Sequence, residues 1–297
     1  MSTTPPRLSI GLPVFNGDDY LEEAIVSILA QTYSDFELVI SDNASTDGTE
    51  DLCRAYAVRD RRIKYYRNPE NIGATQNWYR VLDLSSGEYF ASAAHDDYYA
   101  PNYMEKCISV LDQDPSIIVC YTKTRIIDEN GCPLNDARIS KMLEAKIDTI
   151  ASNPSLRLYN VIGVDHLCIQ LYGVMRAQAL RATTVFAGYY GCDRNTLAEL
   201  ALLGKLYEIP EYLFFHRIYP DALGAAVYSG RSLQELFFLD PGTDWNERFT
   251  ALKIFRNYFG SVSRAEIPFS EKIKSYVQLQ RILFGKISAR VRRFAGK

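Results

Sequence analysis

From Leu8 to about Thr122 the chain alternates short apolar runs with segments of helical period, and this rhythm restricts the available folds more than any other feature. Leu8-Ser9-Ile10-Gly11-Leu12 reads as a strand closed by Pro13, which has no amide hydrogen to give to a ladder. Leu21, Ile25, Ile28 and Leu29 follow at helical spacing, with Asp18 or Asp19 placed to cap them. Phe36 to Ser41 is a second strand, apolar enough to be covered on both faces. A helix from near Asp47, a strand from Ile63 to Tyr66, a helix from about Gly73 to Leu84 and a strand from Tyr89 to Ala93 come next. Pro101 opens another helix, and Ile117 to Tyr121 is a fifth strand. Such alternation implies right-handed crossovers and an α/β class, a largely parallel sheet with helices on both faces. Sheets of this kind bind ligands beyond the carboxyl ends of their strands. Those ends carry Pro13-Val14-Phe15-Asn16, Asp42-Asn43-Ala44-Ser45, Arg67-Asn68-Pro69-Glu70-Asn71 and His95-Asp96-Asp97.

Beyond Lys123 the alternation weakens. Asp128-Glu129-Asn130-Gly131 is a turn, no period is visible up to about Ser155, and Leu171-Tyr172-Gly173-Val174-Met175 is a glycine-bearing apolar segment. Helical stretches lie around Arg194 to Leu203 and Trp245 to Phe259. With 33 basic and 36 acidic residues the formal charge is −3, so no nucleic-acid partner is expected. The opening residues lack a basic segment followed by an apolar run, and no run of about 18 apolar residues occurs, so neither a secretion signal nor a membrane span is expected. Six cysteines without a Cys-x-x-Cys pair, and the histidines at 95, 166 and 216, match no zinc framework and suit reduced thiols in the cytoplasm.

No Gly-x-Gly-x-x-Gly follows the first strand, and no P-loop, Gly-x-Ser-x-Gly or His-Glu-x-x-His occurs. The adjacent pair Asp96-Asp97 is the strongest chemical feature. Abutting carboxylates repel each other unless solvent or a cation relieves them. A hard divalent ion prefers oxygen ligands and shares its shell with phosphates. Successive strand side chains point to opposite faces, so Asp97 is the first choice for the metal, with Asp96 beside it on a ribose or sugar hydroxyl. The competing role for both is to cap the helix that opens near Pro101.

Pro13 to Asn16, Ser27 to Leu38 (Ser-Ile-Leu-Ala-Gln-Thr-Tyr-Ser-Asp-Phe-Glu-Leu), Asp42 to Thr49 (Asp-Asn-Ala-Ser-Thr-Asp-Gly-Thr), Asn68 to Asn77 and Gly87 to Asp97 resemble, in order, the opening of a family 2 glycosyltransferase. The resemblance covers the first 125 residues or so and runs more weakly through Tyr172-Gly173 and Asp193 to Tyr219. It implies the GT-A fold, a Rossmann-like and mostly parallel nucleotide-binding sheet flanked by helices, here with a C-terminal helical extension. It also implies transfer of a sugar from a nucleotide diphosphate sugar to an acceptor hydroxyl with inversion. Residues 1–125 would then be the nucleotide-sugar-binding half, 126–225 the acceptor-binding and catalytic half, and 226–297 the extension.

By position the resemblance implies that Pro13, Val14, Phe15 and Asn16 line the nucleobase and ribose pocket, and that Asp42 contacts the base or ribose. Asn68, Asn71 and Gly73 would shape the adjoining wall. Asn43 stands where many relatives have a second aspartate, and its amide can hydrogen-bond a uracil edge. For Asn16, Asn68 and Asn71 ordinary turn chemistry competes. Ala94-His95-Asp96-Asp97 has one carboxylate fewer than the common Asp-x-Asp-Asp, with Mn²⁺ or Mg²⁺ still expected. His95 is either a donor beside the site or a structural histidine. Asp193 takes the place of the catalytic carboxylate, against a competing role as helix cap; Glu199 is the rival carboxylate, inside the helix and facing away. Arg217 would neutralise the diphosphate. Tyr219 stands where relatives often have histidine, and His216 is the substitute metal ligand. The absence of Gln-x-x-Arg-Trp argues against processive synthesis, and uridine leads the candidate donor bases.

From Glu271 onward Lys272, Lys274, Arg281, Lys286, Arg290, Arg292, Arg293 and Lys297 face one acid, while Tyr276, Leu279, Leu283, Ile287, Val291 and Phe294 keep helical spacing. Such a helix either lies on the anionic inner face of a membrane, suiting a lipid-linked acceptor in cell-surface glycan synthesis, or packs on the catalytic part with its basic face in water. Trp245, Phe249, Leu252 and Phe255 form another stripe, for the core or a homodimer face. A different class of function is a nucleotide-sugar-binding scaffold without turnover, suggested by Asn43, Ala94 and Tyr219. A sugar-1-phosphate nucleotidyltransferase wants a glycine- and arginine-rich loop after the first strand, and Pro13-Val14-Phe15-Asn16-Gly17 is not one.

Overall fold

Leu8, Ile10, Leu12 and Val14 fall on every second position, so one side of the first strand enters a core and the other faces a second layer. The computed structural model describes residues 5–145, 147–184, 192–219 and 247–295, with the side chains at 138, 247–252 and 286–295 outside that set. Strands β1 (Leu8–Val14), β2 (Phe36–Asp42), β3 (Ile63–Arg67) and β4 (Tyr89–Ser92) pair in parallel. Helices α1 (Leu21–Leu29), α2 (Thr49–Arg59) and α3 (Ala74–Leu84) make the crossovers between them. After a two-residue strand β5 (Tyr98–Tyr99) come α4 (Tyr103–Gln113) and the long β6 (Ile117–Ile127). The chain continues through α5 (Ala137–Leu143), α6 (Pro154–Gly163), a 3-10 turn (Ile169–Tyr172), β7 (Val174–Arg176), α7 (Ala177–Arg181), α8 (Cys192–Leu203) and β8 (Lys205–Arg217). Helices α9 (Glu247–Arg264) and α10 (Phe269–Ala295) follow.

All eight strands form one sheet in the order β3-β2-β1-β4-β7-β6-β8-β5. Because β7 is antiparallel to both β4 and β6, while β8 is parallel to β6, the carboxyl ends of β1–β4, β6 and β8 share one edge. One core lies on the face covered by α1 and α4, around Leu8, Ile10, Ile25, Leu38 and Met104. The other lies under α3, α6 and α8, around Val39, Phe90, Leu158 and Leu200. Tyr258 and Val262 of α9 and Leu279 and Ile282 of α10 belong to the second core, so the helical extension is packed on the sheet domain. Glu271 fixes α10 further by accepting from the Ser155 hydroxyl (2.8 Å) at the start of α6.

Several local expectations change. Strand β1 continues past Pro13 to Val14. The Gly11 carbonyl accepts from Ala93 and the Val14 carbonyl from Asn43, so Pro13 faces the β4 side, where pairing has already stopped at Gly11. Its missing amide hydrogen therefore leaves no acceptor unmatched. Neither Asp18 nor Asp19 caps α1, whose N-cap is Tyr20; Asp18 instead accepts from the Gly48 amide (3.0 Å) and ties the first two strand-end loops together. Strand β8 runs through Pro210. The register jumps from Thr122–Ile209 to Lys123–Tyr212, so Pro210 sits in a bulge that needs no amide donor. Trp245 lies outside the described residues, as do the side chains of Phe249 and Leu252; Phe255 packs edge-on against Tyr258 at 6.0 Å.

Candidate active site

The site is built on a floor of buried amides. Asn77 on α3 donates to the Ser41 carbonyl (2.8 Å) and accepts from the Ser41 hydroxyl (2.7 Å) and from Asn68 (3.0 Å). Asn68 also donates to Asn43 Oδ1 (3.0 Å), which accepts the Ile72 amide (2.9 Å) as well, and Asn43 donates to Asn71 (2.7 Å). A fully paired buried network of this kind holds its members in one arrangement. Asn71 accepts in turn from the Gly73 amide (2.9 Å), and Gly73 sits at φ 87, a backbone region that favours glycine, to start α3. Asn43 therefore has no free acceptor for a base edge in this arrangement. Asn43, Asn68 and Asn71 are thereby held in one arrangement.

Three further assignments meet the geometry differently. Asp42 is fully buried and accepts from the Ser45 amide (2.8 Å), the Tyr65 hydroxyl (2.7 Å) and Arg67 (2.7 Å), so its oxygens face protein donors. Burial opposes its charge, yet these donors prevail and hold the carboxyl below its ordinary range. Val14 points into the core, and what it offers the loop is its carbonyl, which accepts from the Asn43 amide (2.8 Å). Pro13 and Phe15 are half-buried beside it. Asn16 is exposed at φ 51, a conformation asparagine tolerates, and its side chain accepts from the Thr46 amide (2.8 Å). Arg217 is also corrected. Its guanidinium is buried and donates to the carbonyls of Asp96 (3.0 Å), Asp128 (3.1 Å) and Glu129 (3.1 Å) and to the Glu23 carboxylate, so it locks loops together and is not poised over a diphosphate.

The aspartate pair follows β4 directly. Asp97 is buried; both its oxygens lie 3.0 Å from His216 Nδ1, and it accepts the Arg217 amide (2.9 Å). Asp96 is half-buried, and burial first, then the charge of Asp97, pushes its carboxyl up. Burial disfavours a charged His216, but Asp97 and Asp96 more than offset this and raise its basicity. Burial first, then the charge of Asp96, pushes the Tyr219 phenol up, and its ring lies 5.0 Å from that of Tyr20. His95 lies against the first loop, where a Cβ on Gly17 would come within 2.7 Å of its ring.

Asp193 stands in the first turn of α8, with its side chain exposed. Burial pushes its carboxyl up, and the weak Cys192 thiol contact at 3.8 Å does not reverse this. Tyr172 connects it to the aspartate pair. Burial first, then the charges of Asp97, Asp96 and Asp193, pushes the Tyr172 phenol up, so one ring lies within the fields of all three carboxylates. That ring stacks 5.2 Å from Phe214 and lies 5.8 Å from His216. Glu199 faces away, as expected, and accepts from Thr184, Ser261 (2.6 Å) and Arg264 (2.7 Å). Sequence reasoning missed Tyr172, Arg67 and Asn77 as parts of the site. The first lay in an aperiodic segment, and the other two were masked by neighbours with clearer signals.

A separate cavity of about 980 Å³ lies beyond the Ile169–Tyr172 turn; Lys123, Thr124, Arg125, His166, Gln170 and Tyr212 are among the residues that line it. Thr124 Oγ1 and Gln170 Oε1 in its wall are buried and find no partner among the described residues.

A mixed sheet whose parallel strand ends share one edge, flanked by helices and similar in fold to solved GT-A glycosyltransferases, defines the class: this is the GT-A fold. More narrowly, the chain belongs to glycosyl transferase family 2, whose model matches residues 9–168. It is 35% identical over 145 residues to an uncharacterized glycosyltransferase of Rickettsia typhi, a match spanning 47% of this chain and 44% of that one. Across five Rickettsia relatives the matches span only 24–44% of the relatives' length. Among solved structures it is similar to residues 1–349 of S. aureus TarS in complex with UDP-GlcNAc (TM-score 0.61, 14% identity, 94% of this chain and 73% of that one). It is also similar to the Pyrobaculum calidifontis mannosyltransferase PcManGT in complex with GDP-Man and Mn²⁺ (TM-score 0.55, 15% identity, 97% and 76%).

Proposed function

We propose that this chain transfers a sugar from a nucleotide diphosphate sugar to an acceptor hydroxyl, with inversion and without processive extension. The observation that carries this reading is the placement of Asp96, Asp97 and the His216 ring bonded to Asp97 at the edge where the parallel strands end, in a chain of glycosyl transferase family 2. The nucleotide would lie over the amide floor between the β1 loop and Asn43, Asn68 and Asn71. UDP is the first candidate, supported by the donor in the TarS structure.

Among the described residues no three His, Cys, Asp or Glu side chains form a metal-binding group. Two carboxylates against one imidazole nevertheless leave surplus negative charge, and Arg217 is turned elsewhere. Mg²⁺ and Mn²⁺ are commonly held by one or two carboxylates with substrate phosphates completing the shell, so the donor set fits. Asp97 and Asp96 would hold the ion, with His216 bonded to Asp97 beside them. When bound, it would neutralise charge building on the departing diphosphate.

Asp193 is the base. The acceptor oxygen forms its bond to the anomeric carbon as the bond to the diphosphate breaks, and Asp193 takes the hydroxyl proton. A carboxyl raised by burial is better matched to that task than a fully solvated one. The acceptor would be a glycan or lipid-linked sugar approaching from the α8 side.

One observation favours a second reading. Asp97 is already engaged by His216 and the Arg217 amide, and position 94 is alanine, as in a scaffold that binds donor without turnover. Slow release of nucleoside diphosphate from UDP-sugars in Mn²⁺ supports the transferase. Binding without any cleavage or transfer across UDP-, TDP- and GDP-sugars supports the scaffold.

A further inference from the structure

Helix α10 is held to the protein by one face and leaves another open. Glu271, Ser275, Leu279 and Ile282 are buried on the packed face, toward α6 and α9. On the open face stand Phe269, Ile273, Val277 and Phe284, exposed by 78, 49, 42 and 65%. Their spacing of four, four and seven residues places them in a single stripe. Of the apolar positions read from the sequence, Tyr276 and Leu279 pack against the second core.

Charge surrounds the stripe. After Glu271 the chain has no acidic residue to its end, against eight basic ones, whereas the whole chain carries a formal charge of −3. Lys274, with its side chain 57% exposed, and the exposed Arg281 flank the stripe on one side. The sequence continues the same apolar spacing through Ile287, Val291 and Phe294, interleaved with Lys286, Arg290, Arg292 and Arg293. An apolar stripe bordered by cations is the pattern of a helix lying in a membrane interface, where rings enter the acyl boundary and cations meet anionic headgroups. A second copy is a poorer occupant, because a two-fold contact through this face would set one basic helix against its own equivalent.

We propose that α10 seats the protein on an anionic lipid surface through Phe269, Ile273, Val277 and Phe284, with Lys274 and Arg281 against the headgroups. This docking goes beyond the transfer reaction and does not depend on it. The test is co-sedimentation of the full chain with phosphatidylcholine vesicles, with and without phosphatidylglycerol. Binding should be about tenfold or more stronger with phosphatidylglycerol and should weaken with added salt. The double variant Phe269→Glu with Phe284→Glu should lose that binding about tenfold while keeping the parental melting temperature, since both rings are exposed. Equal binding to both vesicle types, no binding to either, or parental binding by the double variant would overturn the proposal. So would a parent that is dimeric by light scattering and becomes monomeric in the double variant, which would give the stripe to a second copy.

Discussion

Asp193 stands in the first turn of α8 with its carboxyl pushed up from the ordinary value. Replacing it by asparagine should lower transfer by about 10²–10⁴-fold while leaving nucleoside diphosphate binding unchanged. Because its pKa is raised above the ordinary 3.8, the base is present at higher pH and is lost as pH falls through that raised value. The acid limb of kcat/KM should therefore lie above the pH of a solvated carboxylate. The same burial makes its ionised form unfavourable to the fold, so Asp193→Asn should melt higher than the parent at neutral pH, with the gap closing on acidification. Asp193, the aspartate pair and His216 were legible as residues because each carries chemistry at a strand or helix end. The engagement of Asp42 by Tyr65 and Arg67, and of Arg217 by three carbonyls, was not legible. Both depend on partners 23 to 121 residues away that no local pattern announces.

Helix α8 is clamped by Glu199, which gathers Thr184, Ser261 of α9 and Arg264. Glu199→Ala should lower stability by about 2–3 kcal/mol, read as a shift in the urea midpoint, because buried donors lose their acceptor. His166 pins the segment between α6 and the 3-10 turn. Its Nε2 lies 3.0 Å from the Val161 carbonyl, and its Nδ1 accepts the Cys168 amide, so the ring is held neutral. Burial, aided by Arg194, lowers its pKa from 6.5 to about 4. Its contribution to stability is complete above pH 6.5 and is lost as pH falls toward about 4, on the order of 3 kcal/mol. His166→Gln should flatten stability against pH across that window. Strands β1 to β4 were readable because alternation and two-sided burial leave a strong periodic trace. Three-residue β7 and proline-interrupted β8 leave almost none, and their pairing is decided by the sheet they join.

The whole molecule should respond to donor and cation together. A nucleoside diphosphate at 100-fold its Kd should stabilise the fold by about 2.7 kcal/mol, with a larger melting shift in Mn²⁺ than in EDTA. Equal shifts in both would remove the ion from the proposed site. The family model ends at residue 168, yet Asp193 and His216 come later, so the half of the site that faces the acceptor was the less legible half. Those two residues begin and finish a single excursion of the chain: α8 leaves the site, bends at Gly204 and returns as β8. Asp193 and the His216 imidazole thus stand on the two tips of one fork, whose handle is sunk in the core. Acceptor loops can drift around such a fork without altering the gap between its tips, whereas an insertion at the bend would displace both tips at once.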